Sequence, residues 1–266
     1  MVRKTQNMYQ EKSILVSVLI FLIFRFRTCI DTITLTRPVN DNDGDILVPS
    51  VENFALGFFS PANSTNRYVG IWYNKVSEQT VVWVFNRDQP ITNSSCILSV
   101  DETGNLLLDS GNLVLFQGLV NKEVYSWQSF NHPSNTLLPD MKFGLDKKTG
   151  LNRVVTSWKS TGNPGVGDYS CKLEFVGSPQ FFLFHGMTKV WRTGPWTGLR
   201  WSGIPEMDGK DLYNVTYTNN NDDVVIVYQM HNSTIFSRIV VTESGTMDRL
   251  TWQEADRKWL RSVGSK

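Results

Sequence analysis

NFALGFFSPANSTNRYVGIWYNKVSEQTVVWVFNRDQP, residues 53 to 90, carries the clearest strand pattern of the chain. It holds three short runs of aromatic and β-branched residues, at 54–59, 68–73 and 80–85, separated by segments that contain Pro, Asn and Ser. This pattern is typical of consecutive antiparallel strands. Because Trp72 and Trp83 lie within these strands, we expect them to bury a large aromatic area in one β core.

The remainder of the chain after residue 30 has the same character. No stretch of it keeps a helical period without interruption by Gly or Pro, so the sequence predicts an all-β protein. The Gly-rich run GNPGVG at 162–167 is predicted to be a loop. Further strands are expected at 32–36, 46–48, 97–100, 113–116, 124–127, 154–158, 168–176, 180–185, 190–193, 212–218, 224–230, 235–242 and 246–252.

Longer motifs identify a family. The segments FALGFFSP, YVGIWYNKV and SGNLVL closely resemble the bulb-type lectin domain of plant S-locus glycoproteins and S-domain receptor-like kinases. The resemblance continues through SFNHPSNTLLPDMKFGLDKKTGLNR (129–153) and WRTGPWTGLRWSGIPEM (191–207). It implies two tandem β-prism modules, the first with a shortened sheet. It also implies that the EGF-like, PAN, transmembrane and kinase parts of full-length receptors are absent.

The expected organisation has three parts. Residues 1–30 are predicted to be a signal peptide, because Arg3, Lys4 and Lys12 precede an apolar run at 14–24 that is too short to span a bilayer. An uncleaved signal anchor stays open as the alternative, since residues 25–30 lack a small-residue cleavage pattern. Residues 31–152 are expected to form the bulb-type lectin domain. Residues 153–266 are expected to form a second lectin-like module with a partial S-locus glycoprotein domain.

Composition excludes several function classes. The chain has 26 basic and 25 acidic residues, a formal charge of +1, which gives no electrostatic reason to expect nucleic-acid binding. Two cysteines outside the signal segment, Cys96 and Cys171, do not make a disulfide framework, and we expect each to be a small buried side chain. Stability must then come from packing.

The search for catalytic or metal chemistry gives no candidate, so neither an enzyme nor a cofactor is predicted. His132, His185 and His231 are far apart and lack partners at ligand spacing. The segment 41–44 is similar to part of a calcium loop, but Val39 and Ser50 stand where carboxylates are required.

The sugar-binding signature of the resembled family, Gln-x-Asp-x-Asn-x-Val-x-Tyr, uses alternate residues because a strand presents them on one face. In the best-fitting register this chain has Leu108, Ser110, Asn112, Val114 and Phe116 at those positions. Only Asn112 and Val114 match, so they are the weak candidates for carbohydrate binding. The alternative is that they are ordinary strand and turn residues.

One segment is shorter than its counterpart in the resembled family. Gly-Asn-Leu occurs at 104–106 and again at 111–113, whereas the resembled domains separate the two by a further strand pair. We expect the shortening to leave an unpaired strand edge between Asn105 and Asn112.

Four sequons are candidate N-glycosylation sites, at Asn63, Asn93, Asn214 and Asn232. They can be used only if the chain is secreted. The resemblance implies extracellular recognition, of the kind that underlies self-pollen recognition in some family members. Three interpretations stay open: binding of a small secreted cysteine-rich peptide, with a homodimer or a receptor kinase as partner; binding of a mannose-type glycan; and a non-binding relic of a truncated gene.

Overall fold

A computed structural model describes residues 31–61, 64–93, 95–102, 104–117, 125–175, 177–204, 207 and 212–264. Within these ranges the regular structure consists of β-strands and a single 3-10 turn at Ser129–Asn131. The all-β prediction is confirmed. The prism arrangement stays a prediction.

Twenty-one strands are present in the described residues. The first ten are β1 Thr32–Ile33, β2 Val39–Asn40, β3 Ile46–Leu47, β4 Phe54–Phe59, β5 Tyr68–Tyr73, β6 Val81–Val84, β7 Ile97–Leu98, β8 Asn105–Asp109, β9 Asn112–Phe116 and β10 Trp127–Gln128. The others are β11 Thr136–Leu137, β12 Phe143–Asp146, β13 Val155–Ser160, β14 Asn163–Glu174, β15 Gln180–His185, β16 Thr188–Arg192, β17 Tyr213–Asn219, β18 Asp223–Met230, β19 Ser237–Val241, β20 Met247–Gln253 and β21 Lys258–Gly264.

The strands form antiparallel sheets that fall into two sets. Strands β1 to β10 make the sheets β1-β8-β9-β10, β2-β7 and β3-β4-β5-β6, which we call the first block. Strands β11 to β21 make the sheets β11-β19-β20-β21, β12-β18-β17 and β13-β14-β15-β16, which we call the second block. A domain boundary at residue 152 would separate β11 and β12 from the strands that they pair with; that boundary stays a prediction.

The strands of the opening stretch lie where the sequence predicts them. Strands β4 and β5 have the predicted bounds, and β6 is one residue shorter at each end. Trp72 and Trp83 are buried, with 9% and 6% of their surface exposed, as the single aromatic core requires.

The glycine-rich run at 162–167 is not a loop, and that prediction was wrong. It forms the first half of β14, which pairs with β13 through Trp158 and Val166 across an irregular register. Gly167 explains why glycine occurs inside this strand: a Cβ there would lie 2.2 Å from the carbonyl oxygen of Trp158. Glycine usually interrupts strands, but Gly167 permits β13 and β14 to approach each other closely.

One hydrophobic core joins the two blocks. Ile71 and Tyr73 of the first block belong to the same buried cluster as Leu173 and Val241 of the second. Side chains also bond across the junction: the indole Nε1 of Trp259 on β21 donates to the hydroxyl of Thr80, just before β6, at 3.1 Å. The blocks therefore stabilise each other.

The two cysteines differ in their environments. Cys171 is fully buried, as expected, and burial raises the pKa of its thiol to about 12. Cys96 is only half-buried, which corrects the prediction for that residue; its Sγ donates to the carbonyl of Asn93 at 3.3 Å. Both are free thiols.

The shortened segment forms a hairpin. Strands β8 and β9 are joined by a tight turn in which Ser110 and Gly111 have φ values of 48° and 84°, as in the type I′ turns that suit hairpins. The two strands are flanked on both sides, because β1 pairs with β8 and β10 pairs with β9. The prediction of an unpaired strand edge was therefore wrong, because the short strands β1 and β10 cover the two edges of the hairpin.

Candidate functional site

The turn between β8 and β9 changes the interpretation of the sugar signature. Leu108 lies on β8 and Ser110 in the turn, whereas Asn112, Val114 and Phe116 lie on β9. The five positions therefore do not share one strand face, and carbohydrate binding by Asn112 and Val114 stays a prediction. The period of two holds only within a continuous strand, and the turn at Ser110–Gly111 interrupts it.

Asn112 bonds inside the protein. Its Nδ2 donates to Oε1 of Gln128 at 2.9 Å. Its Oδ1 accepts hydrogen bonds from Oγ of Ser129 at 3.2 Å and from the backbone N–H of Phe130 at 3.1 Å. The side chain thus links β9 to the turn that follows β10.

The apolar members of the set are packing residues. Leu108, Val114 and Phe116 expose 1%, 1% and 3% of their surface, respectively. Ser110 is exposed, but its hydroxyl donates to the carboxylate of the adjacent Asp109 at 3.1 Å. These five residues form a hairpin that is held together from within.

Three sequons lie in the described residues, and Asn63 lies outside them. Asn93 and Asn232 are exposed, and each accepts hydrogen bonds on Oδ1 from the backbone N–H and the hydroxyl of the residue two positions later, Ser95 and Thr234. Asn214 is exposed on β17, a strand at the edge of its sheet. All three side chains are accessible to a modifying enzyme.

The three histidines, His132, His185 and His231, lie at the surface. His132 stacks on Trp127 with ring centroids 5.6 Å apart, and His185 stacks on Tyr169 at 4.6 Å. In the described part of the chain, no group of three or more His, Cys, Asp or Glu side chains could hold a metal ion. Asp41, from the segment similar to a calcium loop, instead accepts a 2.9 Å hydrogen bond from Nε of Arg67.

A groove of about 290 Å³ lies between the two blocks; we call it the inter-block groove. The first block contributes the turn after β8 and the segment before β4, and the second contributes residues 138–140 and 230–237. Its floor includes the buried rings of Phe54 and Tyr73. Sequence reasoning missed the groove, because its walls come from four segments that only the fold brings together.

A second, smaller cavity of about 110 Å³ lies inside the second block. Residues from its three sheets line it, among them Phe143, Phe181 and Tyr213. The guanidinium of Arg249 stacks 3.6 Å from the ring centroid of Tyr213, and burial lowers the pKa of this arginine. Because its lining is mostly apolar, we interpret this cavity as part of the core of the second block.

Comparison with known proteins agrees with the motifs. Residues 105–159 match the family model described as D-mannose binding lectin, and residues 191–265 match the S-locus glycoprotein domain. No helix in the described ranges is both long and apolar enough to cross a bilayer.

The relatives cover nearly all of this chain. A G-type lectin S-receptor-like serine/threonine-protein kinase of Arabidopsis thaliana is 42% identical over 274 residues, which cover 91% of this chain and 32% of the kinase. The S-locus-specific glycoprotein S6 of Brassica oleracea is 38% identical over 288 residues, which cover 98% of this chain and 66% of the glycoprotein. The S-locus-specific glycoprotein BS29-2 of Brassica oleracea var. alboglabra is 36% identical, with coverages of 93% and 63%. This chain thus spans about a third of the kinase and about two thirds of the glycoproteins, and it belongs to the family of S-locus glycoproteins and G-type lectin S-receptor-like kinases.

Proposed function

We propose that this chain is an extracellular recognition module that binds a secreted peptide or protein, without catalysing a reaction. Its relatives include S-locus glycoproteins and S-receptor-like kinases, and the two matched regions are described as lectin and glycoprotein domains. The three accessible sequons support a place in the secretory pathway.

The observation that carries the preference for a peptide is the bonding of Asn112. Sugar hydroxyls exchange water for protein only when free polar groups replace the lost hydrogen bonds. Oδ1 of Asn112 already accepts hydrogen bonds from Ser129 and Phe130, and Nδ2 donates one to Gln128. Both acceptor positions of Oδ1 are occupied and one N–H of Nδ2 is used, so a sugar would find a single remaining donor and the hairpin favours a structural role for Asn112.

The second candidate is a mannose-type lectin. It is favoured by the match of residues 105–159 to the family model described as D-mannose binding lectin. Val114 is the other signature residue that this chain keeps. Its side chain is buried, which is compatible with both candidate functions, so Val114 does not distinguish the peptide-binding module from the lectin.

The experiment that tests the proposal is capture from plant extracellular fluid by the immobilised, secreted chain. We expect bound material that is destroyed by protease and is not released by free mannose. Material that mannose releases and protease leaves intact would instead support the lectin. Failure to capture any peptide or protein above the level of an unrelated secreted β-protein would contradict the recognition role.

A further inference from the structure

We propose that the inter-block groove is the site that receives a cationic segment of the peptide ligand, a Lys or Arg side chain flanked by an apolar residue. This inference rests on the proposed recognition function and adds to it a location and a ligand chemistry. Three features of the groove support it: an aromatic floor, an acidic rim and the conformation of the backbone around it.

The floor is aromatic and belongs to both blocks. The rings of Phe54 and Tyr73 lie 4.8 Å apart, and those of Tyr73 and Phe236 lie 5.1 Å apart. Phe54 and Tyr73 come from the first block, whereas Phe236 is a half-buried residue of the second. Aromatic surface attracts cations through the ring quadrupole and also accepts apolar side chains.

The rim is acidic. The side chains of Asp31, Asp109 and Asp140 line the groove, and its lining residues include no lysine or arginine. Each carboxylate accepts a hydrogen bond from a neutral group, respectively the hydroxyl of Thr32, the hydroxyl of Ser110 and the amide of Gln229. The ion pairs found in the described residues involve none of these three carboxylates.

A cation does lie near the groove but is directed elsewhere. Nζ of Lys75 donates to the backbone carbonyl of Val51 at 3.0 Å. This contact stabilises the segment before β4. Lys75 keeps its charge there and offsets one of the three rim carboxylates, so the rim stays negative. Its charge is complementary to a ligand with exposed Lys or Arg side chains.

The backbone around the groove is held in an unusual conformation. Four described non-glycine residues have positive φ, and three of them, Glu52, Ser110 and Asp140, lie in segments that form the groove. Packing fixes one of these segments, because a Cβ at Gly111 would lie 2.7 Å from Cδ1 of Leu138. The type I′ turn at Ser110 and the packing of Leu138 against Gly111 fix the rim before any ligand arrives.

The size of the groove limits what it can hold. At about 290 Å³ it falls just below the ~300–1,000 Å³ range of ligand pockets. It can take one or two side chains of a peptide, with the remainder of the ligand on the surface around it.

The test uses the full chain and a fluorescein-labelled Lys-Leu-Arg-Leu peptide as probe, with binding followed by fluorescence anisotropy. The variant is the double substitution Asp109→Asn and Asp140→Asn, which keeps side-chain shape; Asn also tolerates the positive φ of Asp140. The matched control is Asp43→Asn, at an exposed carboxylate away from the groove.

We expect the wild type and the Asp43→Asn control to bind the probe equally, more weakly as salt is raised. The double variant should bind about two- to thirtyfold more weakly, because two exposed charge pairs with the probe are lost. A peptide with Glu in place of Lys and Arg should not bind. The proposal is overturned if the wild type does not bind the cationic probe, if the double variant binds it as well as the control does, or if the acidic peptide binds equally.

Capture from extracellular fluid separates this inference from the proposed function. If the double variant captures the same protease-sensitive material as the wild type, the groove is not the site and the recognition function stands. If the wild type captures nothing, the recognition function fails, while the anisotropy measurement still decides whether the groove binds a cation.

Discussion

The hydroxyl of Tyr73 donates a 2.9 Å hydrogen bond to the backbone carbonyl of Ser237, a residue 164 positions later in the chain. Tyr73 is almost fully buried, and its ring packs against Phe236 and Trp259 of the second block. This contact holds the two blocks together beneath the inter-block groove. Because residues of both blocks line the groove, the groove forms only when the two blocks are joined.

Substitution Tyr73→Phe should lower the free energy of unfolding by about 1 kcal/mol, because it removes one buried hydrogen bond and keeps the ring. The corresponding fall in melting temperature is about 2–4 °C. The carbonyl of Ser237 keeps a 3.3 Å hydrogen bond from Tyr228, so the loss should be no larger. The control is Tyr125→Phe at an exposed tyrosine. Equal melting temperatures for the two variants would contradict this role of Tyr73.

Arg87 makes a second connection between the blocks, since its guanidinium donates to four backbone carbonyls, those of Thr156, Ser157, Pro164 and Gly165. We expect Arg87→Gln to lower the free energy of unfolding by about 3 kcal/mol, because the charged donors are lost and partly buried carbonyls are left without hydrogen bonds. Urea unfolding measures this cost. Arg37→Gln, at an exposed arginine, should change stability by no more than about 0.5 kcal/mol. A similar effect of both substitutions would count against the connection.

Cys171 gives the chain a dependence on alkaline pH. Its pKa is about 12 in the folded protein and about 8.5 when unfolded, so the folded state holds the proton between these values. The contribution to stability is complete below about pH 8.5 and is lost as the pH rises towards 12. From about pH 8 to 10, the wild type should lose roughly 2 kcal/mol more than Cys171→Ala, as measured by urea unfolding. Cys96→Ala should follow the wild type; parallel curves for wild type and Cys171→Ala would exclude the effect.

Expression in plant cells should yield a secreted product that carries glycans at the accessible sequons. Endoglycosidase treatment should increase its electrophoretic mobility, and Asn93→Gln and Asn232→Gln should each remove one step of that shift. Both side chains are exposed and sit in turns, so the substitutions should leave the fold intact. A cytosolic product with no shift would refute secretion and glycosylation together.

The sequence is sufficient to predict the all-β class and most of the strands, because short aromatic and β-branched runs between turn residues carry that information locally. Phe54–Phe59 and Tyr68–Tyr73 show how well such runs determine strand bounds. The prediction failed at two glycines. Gly167 permits two strands to approach inside β14, a role that local composition does not indicate. Gly111 turns the chain between β8 and β9, a common role for glycine that the alternate-residue register does not take into account.

The candidate site was less predictable than the fold. Asn112 could be named from the signature, but its bonds to Gln128 and Ser129 depend on how β10 folds back on β9. The inter-block groove could not be named, because Asp31, Asp109 and Asp140 become neighbours only through long-range pairing. Contacts between distant segments carry the information that the local pattern lacks.

Retention on immobilised mannose shows whether the hairpin of β8 and β9 holds a sugar. The purified, secreted chain is applied to the mannose column and eluted with free mannose, with a known mannose-binding lectin as positive control. Because the polar atoms of Asn112 bond within the protein and Leu108 and Val114 are buried, we predict that the chain passes through unretained. Tight retention that free mannose releases would contradict the account.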